Sequence, residues 1–233
     1  MAEHRIVALD EAQFAFAPWS WPFAQERARD VEAHFSARRA RTPDLWNGRV
    51  LLLRGFALQG AQLSGSFFET DFASFLAWRD WGFPEAGAFN CFAMGAIRSA
   101  EGAYLLGEMA AHTANAGRVY FPAGTPDPDD IIGASVDLAG SVLREVAEET
   151  GLTAEDFVPE PGWTAVLAGP RLALIKTLQA PARAAELRQQ VIRHLAREAK
   201  PELADIRIVA GPGDLDPNMP PFVTAFLRRQ WQG

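Results

Sequence analysis

Three glutamates in one short run are the residues of this sequence best placed to do chemistry. In Arg144-Glu145-Val146-Ala147-Glu148-Glu149-Thr150-Gly151-Leu152 the carboxylates fall at i, i+3 and i+4. At 3.6 residues per turn, that spacing puts all three on one face of a helix. Like charges so placed repel and weaken an isolated helix, a local cost that is reasonable where something positive binds. A hard divalent cation takes oxygen ligands, and this face offers several. The commonplace alternative is a solvated helix face. The whole pattern, however, arises by chance in roughly one chain in 10⁵ at average composition. The functional reading is preferred.

The neighbouring elements would have to hold that face in place. A strand over 118–121 stops at Pro122-Ala123-Gly124, a loop rich in Pro and Asp follows, and a helix is expected over about 137–150. Asp137 suits its N-cap, because a carboxylate there accepts from a free backbone N–H. Gly151 suits its end, where a left-handed residue is wanted. Leu143 and Val146 point away from the glutamates and can pin the helix to a core. Upstream, strands are expected at 5–9, 49–58 and 62–69, with helices at 24–41 and 71–81. Residues 91–98 and 103–108 read as a hairpin, as do 163–168 and 172–178 across Gly169-Pro170-Arg171. A helix over 182–200, a strand at 206–209 and a helix over 222–231 complete the chain. This irregular alternation predicts an α+β fold in one domain, 1–233, with residues 1–90 packed on a core of 91–233.

Arg144 through Leu152 resembles the second half of the Nudix box, GX5EX7REUXEEXGU, where U is aliphatic. The resemblance implies an α/β/α sandwich around a mixed sheet, here with an N-terminal elaboration. It implies hydrolysis of a nucleoside diphosphate linked to another moiety, with Mg²⁺ or Mn²⁺ held by Glu145, Glu148 and Glu149. Arg144 would then pair with one of these carboxylates and orient it. The first half of the box departs from the pattern. Phe121-Pro122-Ala123-Gly124 looks like the family's Pro-Gly-Gly turn, but Gly124 lies 20 residues before Arg144, where the family spacing is 14. Six residues are inserted, and the place of the early glutamate falls on Val136. Its role is lost or has moved to Asp127, Asp129, Asp130 or Asp137, with a helix cap preferred for Asp137.

Many family members bring a further glutamate to the metal from downstream of the box. Glu186, Glu198, Glu202, Asp205, Asp214 and Asp216 are the candidates, with Glu202 preferred as a catalytic residue because it lies at a helix-to-strand junction. Gly124 and Trp46 are candidates for substrate binding. Trp78, Trp81 and Trp163 read more simply as core, and His112 as an exposed loop residue. The stretch from His112 to Asp130 looks like the signature of CoA pyrophosphatases, with Asp127 and Asp130 three apart but Arg118 and Ala123 at odds with it. The layout of the whole chain, including Trp46-Asn47-Gly48, is closer to Nudix hydrolases that cleave UDP-sugars. A CoA- or NADH-type pyrophosphatase, and a non-catalytic nucleotide-binding Nudix module, stay open as alternatives.

Composition narrows the field. The 233 residues are 48% hydrophobic and 22% charged, an ordinary globular balance. A net charge of −7 without a long basic run argues against nucleic acid and against an anionic membrane surface. The single cysteine, Cys91, excludes an internal disulfide and a Cys-rich zinc site. No apolar run approaches a membrane span, and the first residues lack the order of a secretory signal. The expectation is a cytoplasmic enzyme acting on a small molecule, with homodimerisation open.

Overall fold

The first strands of the chain are divided between two sheets. In the computed structural model, which describes residues 4–84 and 86–232, the chain opens with β1 (Arg5–Leu9) and β2 (Glu11–Phe16). Helices α1 (Pro22–Glu26) and α2 (Ala28–Arg39) follow, then the hairpin β3 (Arg49–Gln59) and β4 (Gln62–Asp71), then α3 (Phe72–Asp80). Next come β5 (Asn90–Arg98), β6 (Tyr104–Met109), β7 (Val119–Tyr120), β8 (Ile131–Ile132) and β9 (Ser135–Val136). The chain continues through α4 (Leu138–Thr150), β10 (Val158–Pro159), β11 (Trp163–Ala168) and β12 (Arg171–Gln179). It closes with α5 (Ala184–Leu195), β13 (Leu203–Val209) and α6 (Pro221–Gln230).

The larger sheet runs β1-β11-β12-β5-β6-β13, with β7 on β6 and β10 on β12. It is mixed, because β12 and β5 are parallel while its other pairs are antiparallel. The smaller sheet runs β3-β4-β2-β9-β8, with β2 and β4 parallel. Val223, Phe226 and Leu227 of α6 pack against Met94, Ala96 and Ile175 on one face of the larger sheet. Val142 and Val146 of α4, with Leu187 and Val191 of α5, share a second core with Leu51, Leu53 and Phe67 of the smaller sheet. The mixed sheet thus lies between helices, an α+β arrangement.

Period-2 alternation lets the smaller sheet serve two cores at once. On β3, Leu51 and Leu53 face α4 and α5, while Val50 and Leu52 join Trp21, Phe35, Phe68 and Trp78 beneath α1 to α3. Full burial of each such side chain contributes about 1.5–3 kcal/mol. Gly95 of β5 sets how closely α4 approaches, since a Cβ there would lie 2.4 Å from a Val146 methyl.

Several boundaries differ from the sequence reading. The helix expected over 24–41 is interrupted at Arg27, and that expected over 182–200 ends at Leu195. The sequence reading contains no strand at β2, β8, β9 or β10. The hairpin of β5 and β6 is splayed: only Ile97 with Leu105 and Arg98 with Tyr104 are paired. Along the open edge of β5, the Gly95 N–H donates to the Pro122 carbonyl at 3.0 Å. The loop before the acidic helix therefore lodges beside β5, and this is what brings it to the glutamates.

Candidate functional site

Helix α4 starts and stops where its residue types require. The Asp137 carboxylate accepts from the Gly140 N–H at 2.9 Å, and Gly151 closes the helix at φ 69°. Its apolar stripe, Leu138, Val142 and Val146, is buried, so the orientation of the glutamates is fixed by the core. Val146 at 0% exposure anchors the turn between Glu145 and Glu149.

The three glutamates then occupy different environments. Glu149 is buried; its Oε1 accepts from the Ala123 N–H at 3.2 Å, while its Oε2 is buried without a hydrogen-bond partner. Burial holds its carboxyl well above the usual range, the Ala123 N–H opposes that, and Glu145, Glu202 and Glu148 add to it. Glu145 lies against Gly124: a Cβ on that glycine would sit 2.4 Å from the Glu145 carboxyl carbon. Burial pushes Glu145 up to about 7, with Arg144 opposing and Glu148, Glu202 and Asp130 reinforcing. Glu148 is the exposed member, its side chain 62% accessible.

Arg144 is held among these acids. It donates to Glu145 at 2.9 Å and to Asp130 at 2.7 Å, and stands 3.9 Å from Glu148. Asp130 comes from the expanded loop, in a short 3₁₀ turn over Pro128–Asp130 that Asp127 caps through the Asp129 N–H. The Asp130 carboxylate is buried and also accepts from the Asp127 N–H and the Ser141 hydroxyl, each at 3.1 Å. Of the loop acids weighed for the missing early glutamate, Asp130 is the one that reaches Arg144.

A cleft of about 1020 Å³ opens beside Glu145, lined also by Gly124, Asp127, Glu202 and Trp46, while Glu148 and Glu149 are not among its lining residues. Glu202 comes from just before β13, where its carbonyl accepts from the Ala110 N–H. The other downstream acids are engaged in local contacts. Glu186 accepts from the Arg183 N–H, Glu198 pairs with His194, and Asp205 pairs with Arg188. Asp214 accepts from the Ala210 and Gly211 N–H groups, and Asp216 from the Asn218 N–H. Trp46 is 72% exposed with its ring across Gly48, and His112 also lines the cleft. Trp78 is core; Trp163 lies under the Lys176 ammonium.

Whether these residues suit a divalent ion can be judged from their chemistry. The donors are hard oxygens, and the orphaned Glu149 Oε2 has no protein partner to satisfy it. Among the described residues, no group of three or more His, Cys, Asp or Glu side chains is drawn together tightly enough to enclose an ion. The residue types fit; Glu148, exposed and long, would have to move inward. Sequence reasoning did not single out Arg79, Asn90, Tyr120 or Arg171, which also line the cleft. No local pattern marks them, since they are brought together by the topology alone.

No family model matches the chain, and no curated protein matches it. Among solved structures, the chain is similar to the MutT protein from Methanosarcina mazei Go1, at 21% identity over 62% of this chain and 94% of that one, with a TM-score of 0.43. It is similar to a C. elegans Ap4A hydrolase, at 15% identity over 60% and 95%, with a TM-score of 0.37. It is also similar to RenU from M. smegmatis, at 18% identity over 61% and 82%, with a TM-score of 0.39. That last structure is described as a Nudix hydrolase, the family that Arg144–Leu152 resembles.

Proposed function

We propose that this chain is a Nudix pyrophosphatase that hydrolyses the diphosphate bond of a nucleoside diphosphate linked to another moiety. The observation that carries the reading is the Glu149 carboxylate, buried against the Ala123 N–H of a cleft-lining turn with one oxygen unpartnered, on the helix face it shares with Glu145 and Glu148. A buried carboxylate oxygen without a partner calls for one, and a cation would supply it. Glu145, Glu148 and Glu149 would hold Mg²⁺ or Mn²⁺, which when bound neutralises phosphate charge and acidifies a water.

The chain's own groups supply the rest. The Ala123 N–H fixes one Glu149 oxygen and leaves the other free. Arg144, clamped by Asp130, holds Glu145 in place beside Gly124. Glu202, on the cleft lining, would accept a proton from the attacking water. Trp46 offers a flat face to a base or sugar at the mouth. A UDP-sugar is the first substrate to test.

A Mg²⁺-dependent phosphate-release screen across UDP-sugars, ADP-ribose, NADH, CoA, dinucleoside polyphosphates and nucleoside triphosphates tests this reading. Hydrolysis of at least one, abolished in Glu145→Gln, is expected. Nucleotide binding without hydrolysis of any of them would instead make the chain a non-catalytic module.

A further inference from the structure

The cleft has a second polar centre that the carboxylate cluster does not use. Arg79, at the last turn of α3, and Arg171, the first residue of β12, both line it. Asn90 lies level with Arg171, because the two are register partners in the parallel pair of β5 and β12. The residue is 9% exposed and lines the cleft, and its side chain has no hydrogen-bond partner among the described residues.

Charge is unbalanced here. Asp80 is shared by Arg79 at 3.4 Å, Arg38 at 3.7 Å and His34 at 3.0 Å. Arg171 has no carboxylate within 4.0 Å among the described residues, so the two arginines bring to this cleft more positive charge than Asp80 can offset. Arg171 is instead stacked 4.5 Å over the ring of Phe83. Phe83 is the single non-glycine residue at positive φ among those described, at 61°, and its ring also meets Trp78 at 4.6 Å. Unfavourable backbone conformations of this kind persist where the surroundings over-determine them, often next to ligand sites. Here the strain places a ring under a guanidinium and fixes where its fork lies. Burial lowers Arg171 from its ordinary value, and Arg79 adds to that, as expected of cations held near each other without an anion.

We propose that Arg79, Arg171 and Asn90 form a phosphate-binding subsite of the cleft, separate from the glutamates. Two guanidiniums and an amide match a phosphoryl group, which carries several oxygens and more than one charge; a guanidinium fork takes such oxygens in pairs. That the phosphoryl group belongs to the substrate rests on the pyrophosphatase reading; that the subsite binds phosphate does not. The group is either one phosphate of the diphosphate or an additional phosphomonoester on the ligand.

Calorimetry on the full chain in EDTA, with inorganic pyrophosphate, ADP and adenosine as probes, separates the subsite from metal chemistry. Arg171→Met keeps an apolar stem over Phe83 and removes the charge; Arg79→Gln is a second variant on a different element. Each should weaken pyrophosphate and ADP binding by about tenfold or more and leave adenosine unchanged. Comparing NADH with NADPH then identifies the source. Equal losses place the diphosphate in the subsite, and a loss confined to NADPH places the extra phosphomonoester there. If both variants fold with wild-type melting temperatures and bind pyrophosphate and ADP as tightly as wild type, the subsite does not exist. If binding depends on Arg171 but no substrate is hydrolysed, the subsite stands and the pyrophosphatase reading falls.

Discussion

Removing the carboxylate of Asp130 should damage both stability and turnover, although the residue is not a candidate metal ligand. In Asp130→Ala three donors lose their acceptor: the Asp127 N–H, the Ser141 hydroxyl and one Arg144 nitrogen. Arg144 keeps Glu145 at 2.9 Å and is 36% exposed, so water re-solvates part of what it loses. The other two donors lie in a buried or half-buried setting, where each unsatisfied group costs about 1–3 kcal/mol. Taking the lower half of that range for both, and little for Arg144, gives about 2–4 kcal/mol. For a chain of this size each kcal/mol moves the midpoint by about 2–4 °C, so a fall in Tm of about 5–15 °C is expected. Asp130→Asn keeps the shape and one acceptor and should lose about half as much. Turnover should fall in both, since Arg144 stays paired with Glu145 but loses the anchor that fixes where the pair lies. A double-mutant cycle with Arg144→Gln should give a coupling of about 1 kcal/mol or more. If Asp130→Ala melts with wild type and turns over normally, the clamp on Arg144 is incidental and the account of Glu145 is wrong.

Other perturbations follow from the same geometry. Glu148→Gln should keep the fold and lose turnover by orders of magnitude, whereas Glu155→Gln, on an exposed turn outside the cluster, should stay near wild type; equal effects would reduce the acidic face to solvated surface. Gly124→Ala should fold, because its Cβ meets only the end of a flexible side chain, yet slow turnover by displacing Glu145; unchanged kcat and KM would contradict that. Glu145 and Glu149 both have folded values raised above the ordinary 4.5, so the native chain holds their protons longer than the unfolded one. The stability they contribute is complete below about pH 4.5 and is lost as pH rises through about 7 for Glu145 and through the raised value of Glu149. In EDTA, melting temperature should therefore decline across that window, and less so in Glu149→Gln; an identical profile in the variant would refute the assignment. Excess EDTA should abolish hydrolysis, and ¹⁸O-water should label one phosphate product with inversion at phosphorus, whereas retention would mean that a covalent enzyme intermediate intervenes.

What could be read from the residues was local. Asp137 and Gly151 bracket α4 because a capping carboxylate and a left-handed glycine leave signatures that survive in one dimension. The turn at Gly169, φ 60°, does the same for the hairpin of β11 and β12. β2 was missed because Glu11–Phe16 is short and half polar, and is a strand only by virtue of β4 beside it. Asp130 could be named as one of four acids, but its selection depends on a 3₁₀ turn that points it at Arg144. Arg79 and Arg171 line one cleft from a helix and a strand far apart in the sequence, which no spacing encodes.

The expanded loop has a consequence for the order in which the molecule can be made. Ser135 of β9 pairs with Ala15 of β2, the Phe16 N–H donates to Ala134, and the Leu51 N–H donates to Pro126. The segment that carries Asp130 is therefore sewn to strands from the opposite end of the polypeptide. Contacts of such wide separation form late, since the entropy of closing the intervening chain must be met first. A nascent chain emerging from the ribosome presents the acidic helix while its lower seam, β11 to β13, is still unmade, and a chain deprived of its first strands lacks the upper one. Without those first strands the loop that carries Asp130 loses its seat, so the arginine clamp depends on residues far upstream of it.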